Sequence, residues 1–454
     1  MTMNFFKKLL RGYRSLQRKA SPQINLVWGF FVYTILGWLI LCIPWFHRES
    51  VPMLDNLFTS TSAISTTGLV TVSIDGSYNL AGQMVILLLF QVGGIGYMTL
   101  TTYYLLFTTR RITNWHQKMI GTAFTMPQSI QVKDFIKSVI YFTVIMEVLG
   151  AIGLFIGFHH AGVPFWEAVW SAIFHSISAF CTAGFGLDDN SFIPYQNNVW
   201  INVVISILAI AGSLGFIVIT DLWYRLRGKT DKISFTTKII AYGFLLLLSF
   251  GTLLTWLTEP GLFEQEHAFM KAFFQAMTAM TTVGFSTIPT SELSHPVLLL
   301  ILFLMYVGAS PSGTAGGMKI TTLTAMLSVL KSRLLGQRRI NFLGREIPFN
   351  RLYVATSTFI LYTCLIFFFA FLMTYSEDTS FEKILFEVAS ALGTVGLSAG
   401  LTGNLSVAGK IMIILLMFIG RVGVLTFGFA LLDHKSQEEK DKADKDLEKE
   451  DLAV

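Results

Sequence analysis

The chain has 454 residues, of which 53% are hydrophobic and 13% charged, with 40 phenylalanines and a formal net charge of +5. Soluble globular proteins carry about 25% charged residues. This composition therefore excludes a cytosolic globular enzyme and a disordered chain, and it places the protein in a bilayer. The three cysteines (Cys42, Cys181, Cys364) lie in apolar or near-apolar stretches and cannot build a disulfide framework or a zinc site.

A membrane-crossing helix needs about 20 mostly apolar residues. Such runs are predicted at 24–46, 80–108, 132–158, 198–223, 236–257, 296–330, 350–374 and 407–431, eight in all. Residues 1–20 are basic and polar, and no small-residue cleavage site follows the first run, so a cleavable signal is not expected. The segments 1–20, 109–131, 225–238 and 331–351 hold 20 Lys and Arg against two acidic residues, Asp231 and Glu346. The opposite connections are predominantly acidic. The positive-inside rule then puts the basic set and both termini in the cytoplasm. Pairs such as Arg338–Arg339 read as topology signals, with docking of a partner or an anionic lipid as the alternative. The tail after Asp433 is dense in both signs and reads as a solvated helix or a disordered end.

The spans come in pairs, and a shorter semi-apolar segment lies inside each pair. These segments align without a gap as Phe58-TSTSAISTT-Gly68, Phe174-HSISAFCTA-Gly184, Phe274-QAMTAMTTV-Gly284 and Phe386-EVASALGTV-Gly396. Every copy has Phe, then Ser or Thr four on (Ser62, Ser178, Thr278, Ser390), Ala five on, Thr eight on and Gly ten on. The predicted organisation is a basic N-terminus (1–20), four units (21–112, 113–228, 229–340, 341–432) and a charged tail (433–454). At roughly 12–14 residues the matched segments are too short to span, and they are too apolar for surface loops. They fit half-helices followed by extended backbone, which survives at membrane depth only inside protein or beside a water-filled path. Four of them around one axis would form a ring of carbonyl oxygens, able to replace the hydration shell of a hard monovalent cation. The acidic connections place that ring near the outer face, where Asp55, Asp75, Asp188, Asp189 and Glu292 would concentrate cations. The alternative is that the four glycines mark tight turns in a packed bundle.

The second span of each unit carries glycines: Gly93, Gly94 and Gly96; Gly212 and Gly215; Gly308 through Gly317; Gly420 and Gly423. In the first two clusters they read as sites of close helix approach. The sixth run is about 35 residues and would reach roughly 50 Å as one helix. Its centre, Gly308-ASPS-Gly313-TA-Gly316-Gly317-Met318-Lys319, holds one Pro and four Gly, so a break is predicted there. A flexible loop in mid-membrane could obstruct conduction; a passive kink is the alternative. The stretch lacks a phosphate-loop motif. Arg421 lies inside the last run, where an arginine costs at least ~2.5–3.5 kcal/mol and must face the interior or a partner. Its expected role is a fixed positive charge beside the path, shared with Lys319; an ion pair with Glu147, Glu387 or Asp221 is the structural alternative. His175 reads as a packed, hydrogen-bonded side chain, and the His159–His160 pair lacks further ligands. No nucleophile elbow, HExxH or Cys-rich site is present, so catalysis has no candidate residues and the chain reads as not an enzyme.

Four helix–pore-loop–helix repeats, one glycine per loop, a GTAGG-containing broken sixth span and a Gly-Arg pair in the last span resemble the Trk/Ktr/HKT superfamily of cation translocators. The resemblance covers roughly residues 24–432 and is strongest to the bacterial KtrB-type membrane subunit. It implies an all-α polytopic membrane protein whose eight helices surround a pseudo-fourfold central pore, like a single-chain potassium channel. K+ would be held in a selectivity filter at Thr67-Gly68, Ala183-Gly184, Val283-Gly284 and Val395-Gly396. Family members with serine for the first glycine tend towards sodium, so Gly68 favours potassium. The gate would comprise Gly308, Gly313, Thr314, Gly316, Gly317 and Lys319, with Arg421 as its electrostatic companion. The resemblance also implies a homodimer in the bacterial inner membrane on a cytoplasmic KtrA-like regulatory ring. ATP, ADP and NAD would bind that partner and no cofactor would bind this chain, with Na+ often stimulatory and no nucleic acid involved. The resulting expectation is gated potassium uptake. The rivals are a sodium-selective or poorly selective pore, and an alternating-access transporter of an organic substrate.

Overall fold

The structure, a computed structural model, describes residues 21–96, 131–228, 232–308, 310–337 and 339–432, with 99, 100, 102, 103, 117 and 230. The basic N-terminus, most of 97–130 and the charged tail fall outside the described residues. The first unit contains α1 (Pro22–Leu41), α2 (Met53–Ile64), the single turn α3 (Ile74–Ser77) and α4 (Leu80–Ile95). The second contains α5 (Val132–His160), α6 (Phe165–Phe180), α7 (Val199–Ser213) and α8 (Phe216–Leu226). The third contains α9 (Phe235–Thr258), α10 (Ala268–Thr281), α11 (His295–Tyr306) and α12 (Ile320–Leu334). A two-residue-strand hairpin, β1 (Asn341–Phe342) with β2 (Arg345–Glu346), leads to α13 (Phe349–Ser376), α14 (Phe381–Gly393), α15 (Val407–Val422) and α16 (Val424–Leu432).

The first long helix of each unit (α1, α5, α9 and α13) is long and apolar enough to cross a membrane. Their outer faces are bare hydrocarbon: Val144, Ile145, Val148, Leu149 and Ile152 on α5 are all exposed. In water such a stripe would drive association, whereas lipid tails solvate it without cost.

The second helix of each unit is interrupted. The sequence predicts one break, at 308–317; the structure has three more, so the continuous spans expected over 80–108, 198–223 and 407–431 are corrected. α4 stops at Gly96 (φ 84°), α7 and α8 meet at Gly215 (φ 90°) with an 89° bend, and α15 and α16 meet at Gly423 (φ 92°) with a 100° bend. Only glycine enters that part of backbone space freely, and a sharp helix bend at glycine follows.

The short helices α2, α6, α10 and α14 form the interior. Their last two turns are buried on almost every face, with Phe58, Phe174, Phe274 and Phe386 each at most 1% exposed. Each is packed against its own unit's first helix and also against the second helix of the preceding unit. Thus α4 meets α6, α7 meets α10, α11 meets α14, and α15 returns to α2. The chain therefore closes on itself after four units. Within a unit the second helix also lies against the short helix, and Gly93, Gly212 and Gly420 make that contact close: a Cβ on each would strike a carbonyl at the short helix's end, those of Ile64, Phe180 and Leu392.

The closure between the last and first units carries a buried ion pair. Lys410 Nζ lies 2.6 Å from Asp55 Oδ1, to which Thr71 Oγ1 also donates at 2.6 Å. Removing one partner of such a pair costs about 3–5 kcal/mol, because the other is left buried and unpaired. Lys410→Met alone is expected to lower the thermal midpoint strongly, and adding Asp55→Asn to restore most of it; thermal unfolding of the detergent-solubilised protein checks both.

Candidate functional site

The four short helices end in one way. The amides of Thr66, Thr182, Thr282 and Thr394 donate to the carbonyls of Ala63, Ala179, Ala279 and Ala391. The next amides, of Thr67, Ala183, Val283 and Val395, donate to the carbonyls of Ser62, Ser178, Thr278 and Ser390. This left-handed helix cap ordinarily uses glycine at its turning residue. Here the turning residues are the four threonines, at φ 53°, 51°, 56° and 48°. A left-handed β-branched residue costs about 1–2 kcal/mol, a strain of the kind that concentrates at functional sites.

The turn delivers the chain to Gly68, Gly184, Gly284 and Gly396, at φ 88°, 66°, 81° and 93°. A Cβ on Gly68 would strike the carbonyl oxygen of Ala183. One on Gly184 would strike that of Val283, one on Gly284 that of Val395, and one on Gly396 that of Thr67. The steps run once around the four units and return to the start. All eight residues singled out in the sequence are therefore brought into one closed ring of glycines and carbonyls. Three of the four shared Ser/Thr hydroxyls support it from behind: those of Ser62 and Ser390 accept the Gly68 and Gly396 amides at 3.1 Å, and Ser178 donates to the Phe185 carbonyl at 2.9 Å, while Thr278 Oγ1 has no hydrogen-bond partner among the described residues.

The 308–319 loop lies against the inner side of this ring. Gly316 N donates to Thr282 Oγ1 (3.0 Å), Thr182 Oγ1 donates to Thr314 Oγ1 (3.2 Å), and a Cβ on Gly316 would strike Thr394 Oγ1 and the Gly393 carbonyl. The loop thus touches three of the four turning threonines. Amides of Ser310 and Thr314 are taken by the carbonyls of Ser213 (3.3 Å) and Gly212 (3.1 Å), beside the break at Gly215. Gly313 is held against the Ser213 carbonyl, where a Cβ would approach to 2.7 Å, and Gly308 against Gly317, Cα to built Cβ 2.8 Å.

Two cations hold the loop's own carbonyls. Lys319 Nζ donates to Ala315 and Gly316 at 2.6 Å each. The Arg421 guanidinium donates to the Thr314 carbonyl and, on its other side, to those of Gly93 and, at 3.3 Å, Gly94. Arg421 is not in the middle of a straight span; it occupies the last turn of α15, just before the bend. It pairs with none of the three carboxylates considered from the sequence. Glu147 receives the Gln91 amide at 2.8 and 3.0 Å, Glu387 receives Ser398 and Thr402, and Asp221 receives the Ser234 amide at 2.8 Å. Nothing in the sequence marked Gly93 and Gly94 as partners for Arg421, beyond being a glycine pair.

In the connections that follow the short helices, Asp188, Asp189 and Glu292 are exposed. Asp55 is not an exposed attractor, being 5% exposed and engaged by Lys410, while Asp75 pairs with Arg48 at 3.3 Å. His175 is buried, accepts the Leu187 amide at Nε2 (3.3 Å) and bonds the Ser171 carbonyl, as a packed residue. Among the described residues no group of three His, Cys, Asp or Glu could hold a metal ion.

Apolar crossing helices around a closed backbone ring define a polytopic membrane protein of the ion-transport class. A family profile, TrkH, described as cation transport protein, matches residues 31–439. The chain belongs to this family of membrane cation transporters, which are not enzymes. It is 35% identical over 435 residues to the potassium/sodium uptake protein NtpJ of Enterococcus hirae, covering 92% of this chain and 94% of that one. It is 31% identical to the Ktr system potassium uptake protein B of Vibrio alginolyticus (92% and 93% covered) and 33% to that of Bacillus subtilis (91% and 93%). The fold is similar to the crystal structure of the potassium transporter TrkH from Vibrio parahaemolyticus, with a TM-score of 0.72 at 19% identity, over 92% of this chain and 86% of that one.

Gly316→Ala has no room against Thr394 and Gly393, so the loop must withdraw. Amide exchange over 310–318 is expected to accelerate by ~10-fold or more, as loss of local protection does, while the α10 and α14 amides hold. Hydrogen-exchange mass spectrometry reads both.

Proposed function

We propose that the chain mediates gated potassium uptake through a pseudo-fourfold pore whose selectivity filter is the glycine ring. The observation that carries this reading is the closure of the ring: four glycines, each pressed against the carbonyl before the next, at the ends of four equivalent short helices. The C-terminal end of a helix carries roughly half a negative charge, and four such ends aimed at one ring favour a cation without any carboxylate. Carbonyls then replace its water. The absence of serine at Gly68 favours potassium over sodium. The name of the Enterococcus relative includes both ions, so sodium transport through the same pore is the second reading.

The 308–319 loop is the gate in this proposal. It is unwound backbone, tethered to neighbours by hydrogen bonds, with the Thr314, Ala315 and Gly316 carbonyls held by Lys319 and Arg421 rather than turned to a passing ion. Opening releases Arg421 from Thr314. Two relatives are named as component B of a Ktr system, which supports a separate partner. We assign this chain a homodimer in a bacterial inner membrane, with both termini cytoplasmic, on a KtrA-like ring that carries the ATP, ADP and NAD sites. Na+ stimulation would act on that assembly.

The test is uptake of Rb+ or K+ against Na+ in proteoliposomes. Wild type is expected to favour potassium. Gly284→Ser forces a side chain into the Val395 carbonyl at φ 81°, and is expected to reduce the K+/Na+ ratio by ~10-fold, the change that about 1.4 kcal/mol of differential binding produces. An unchanged ratio would make the ring a packing frame and sink the filter reading. Arg421→Ala removes charged hydrogen bonds worth about 1.5–3 kcal/mol from the closed gate. Its uptake in the same assay, without any partner, is expected to rise severalfold; a fall would remove Arg421 from the gate.

A further inference from the structure

Each short helix carries a buried polar side chain directly after its shared phenylalanine: Thr59, His175, Gln275 and Glu387, exposed by 0%, 5%, 0% and 0%. Three are neutral polar types and one is a carboxylic acid. No Lys, Arg or His forms an ion pair with Glu387 among the described residues. A carboxylate at this depth without a cation is costly, and such residues are functional by default.

What surrounds it is a specific set of donors. Ser398 Oγ donates to Oε2 at 2.8 Å, and Thr402 Oγ1 donates to Oε1. Ser398 Oγ is already an acceptor, for the amides of Gly400 (3.1 Å) and Leu401 (3.2 Å). Its one hydrogen is therefore committed to Glu387. Oε2 must therefore accept, while a carboxyl can accept from Thr402 or donate to it at Oε1. The chain from 398 to 402, starting two residues beyond Gly396, is wound onto this acceptor.

The other three units tie down the same stretch by other means. Thr71 donates to Asp55, and the Leu187 amide reaches His175 at 3.3 Å. The third unit uses its neighbour: the Ser286 amide donates to Ser191 Oγ, and the Phe192 amide to the Ser286 carbonyl, both at 3.0 Å. Gln275 has no hydrogen-bond partner among the described residues. The first and fourth units both anchor this stretch on a carboxylate of their own short helix, but Asp55 is also paired with Lys410, whereas Glu387 is held by hydroxyls alone.

We infer that Glu387 is a positioning residue for cation selection, fixing the outer turn of the fourth glycine segment through Ser398 and Thr402. The inference rests on the proposed filter. It acts through geometry: the turn that leaves Gly396 is held at two hydroxyls, so the Val395–Gly396 carbonyls cannot relax towards a differently sized ion. Glu387→Leu removes both acceptors and breaks both arms of the clamp, and Ser398→Ala breaks one of them.

The experiment is competitive uptake of K+ and Na+ by purified full-length protein in liposomes, for wild type, Glu387→Leu, Ser398→Ala and the double variant. Each single variant is expected to lower the K+/Na+ ratio by ~10-fold, the change that about 1.4 kcal/mol of differential binding produces. The double variant is expected to be no worse than Glu387→Leu, since Ser398 acts through Glu387. A merely structural lesion would lower uptake of both ions alike and leave the ratio standing. Should Glu387→Leu fail to assemble, Ser398→Ala, which keeps the carboxyl and lies outside the helix, decides alone. A folded variant with the wild-type ratio, or additive losses in the double, overturns the role of Glu387. Wild type without potassium preference overturns the filter reading instead.

Discussion

Unwound backbone inside a bilayer has no water to turn to, and each of its amides and carbonyls must find a partner in the protein or face an ion path. The rest of this structure is arranged around that constraint. Four short helices stop in mid-core, and four stretches of extended chain follow them. One second helix opens into a loop of about ten residues. Several serine and threonine hydroxyls, the glycines and the Lys319 and Arg421 side chains are placed where an amide or carbonyl would otherwise be orphaned. The apolar outer helices supply a dry shell, and they are the least specific part of the protein.

The same constraint explains why glycine appears where helices approach and where chains turn. Gly93, Gly212 and Gly420 leave room for a carbonyl at the end of a short helix, so the second helix of a unit can lie directly against it. A few residues later Gly96, Gly215 and Gly423 turn the chain away at positive φ. In the second and fourth units the pairing of a close approach with a bend gives a helix that supports the interior and then turns away. The third unit has an extended loop in place of the bend, and that loop lies against the ring. Its amides are taken by second-unit carbonyls and a third-unit hydroxyl, its carbonyls by Lys319 and by Arg421 of the fourth unit. The loop is thus held by three neighbours through hydrogen bonds rather than by a helix of its own.

Much of this was legible in the sequence because repetition exposes it. A frame of Phe, Ser/Thr, Ala, Thr and Gly, kept in register four times, identifies the interior helices, the hydroxyls behind the ring and the glycines within it. The break at 308–317 follows from its proline and glycines. Illegible were the features that depend on which units are neighbours in space. Asp55 looked like a surface acid because its partner Lys410 lies more than 350 residues away. Arg421 looked like a mid-span charge because glycines at 420 and 423 do not distinguish close packing from a 100° bend. Its partners are backbone carbonyls, which leave no trace in residue type. That the frame's threonines, and not its glycines, make the left-handed turn is likewise a property of the closed ring rather than of the residue.

A ring built from one chain can be equal where it must be and unequal elsewhere. The turning threonines, the glycines and the carbonyl-to-Cβ spacing repeat closely, since any departure would open the ring. Just outside it the four units diverge: an ion pair with Lys410, a histidine, a bond to a neighbouring loop, a buried glutamate. Just inside it a single loop serves all four. A tetramer of identical chains could not place one buried glutamate behind one quarter of its ring, or one loop against the whole of it. Fusion of the four units lets each depart from the pattern separately, and the proposed duties of Glu387 and Arg421 fall at two such departures.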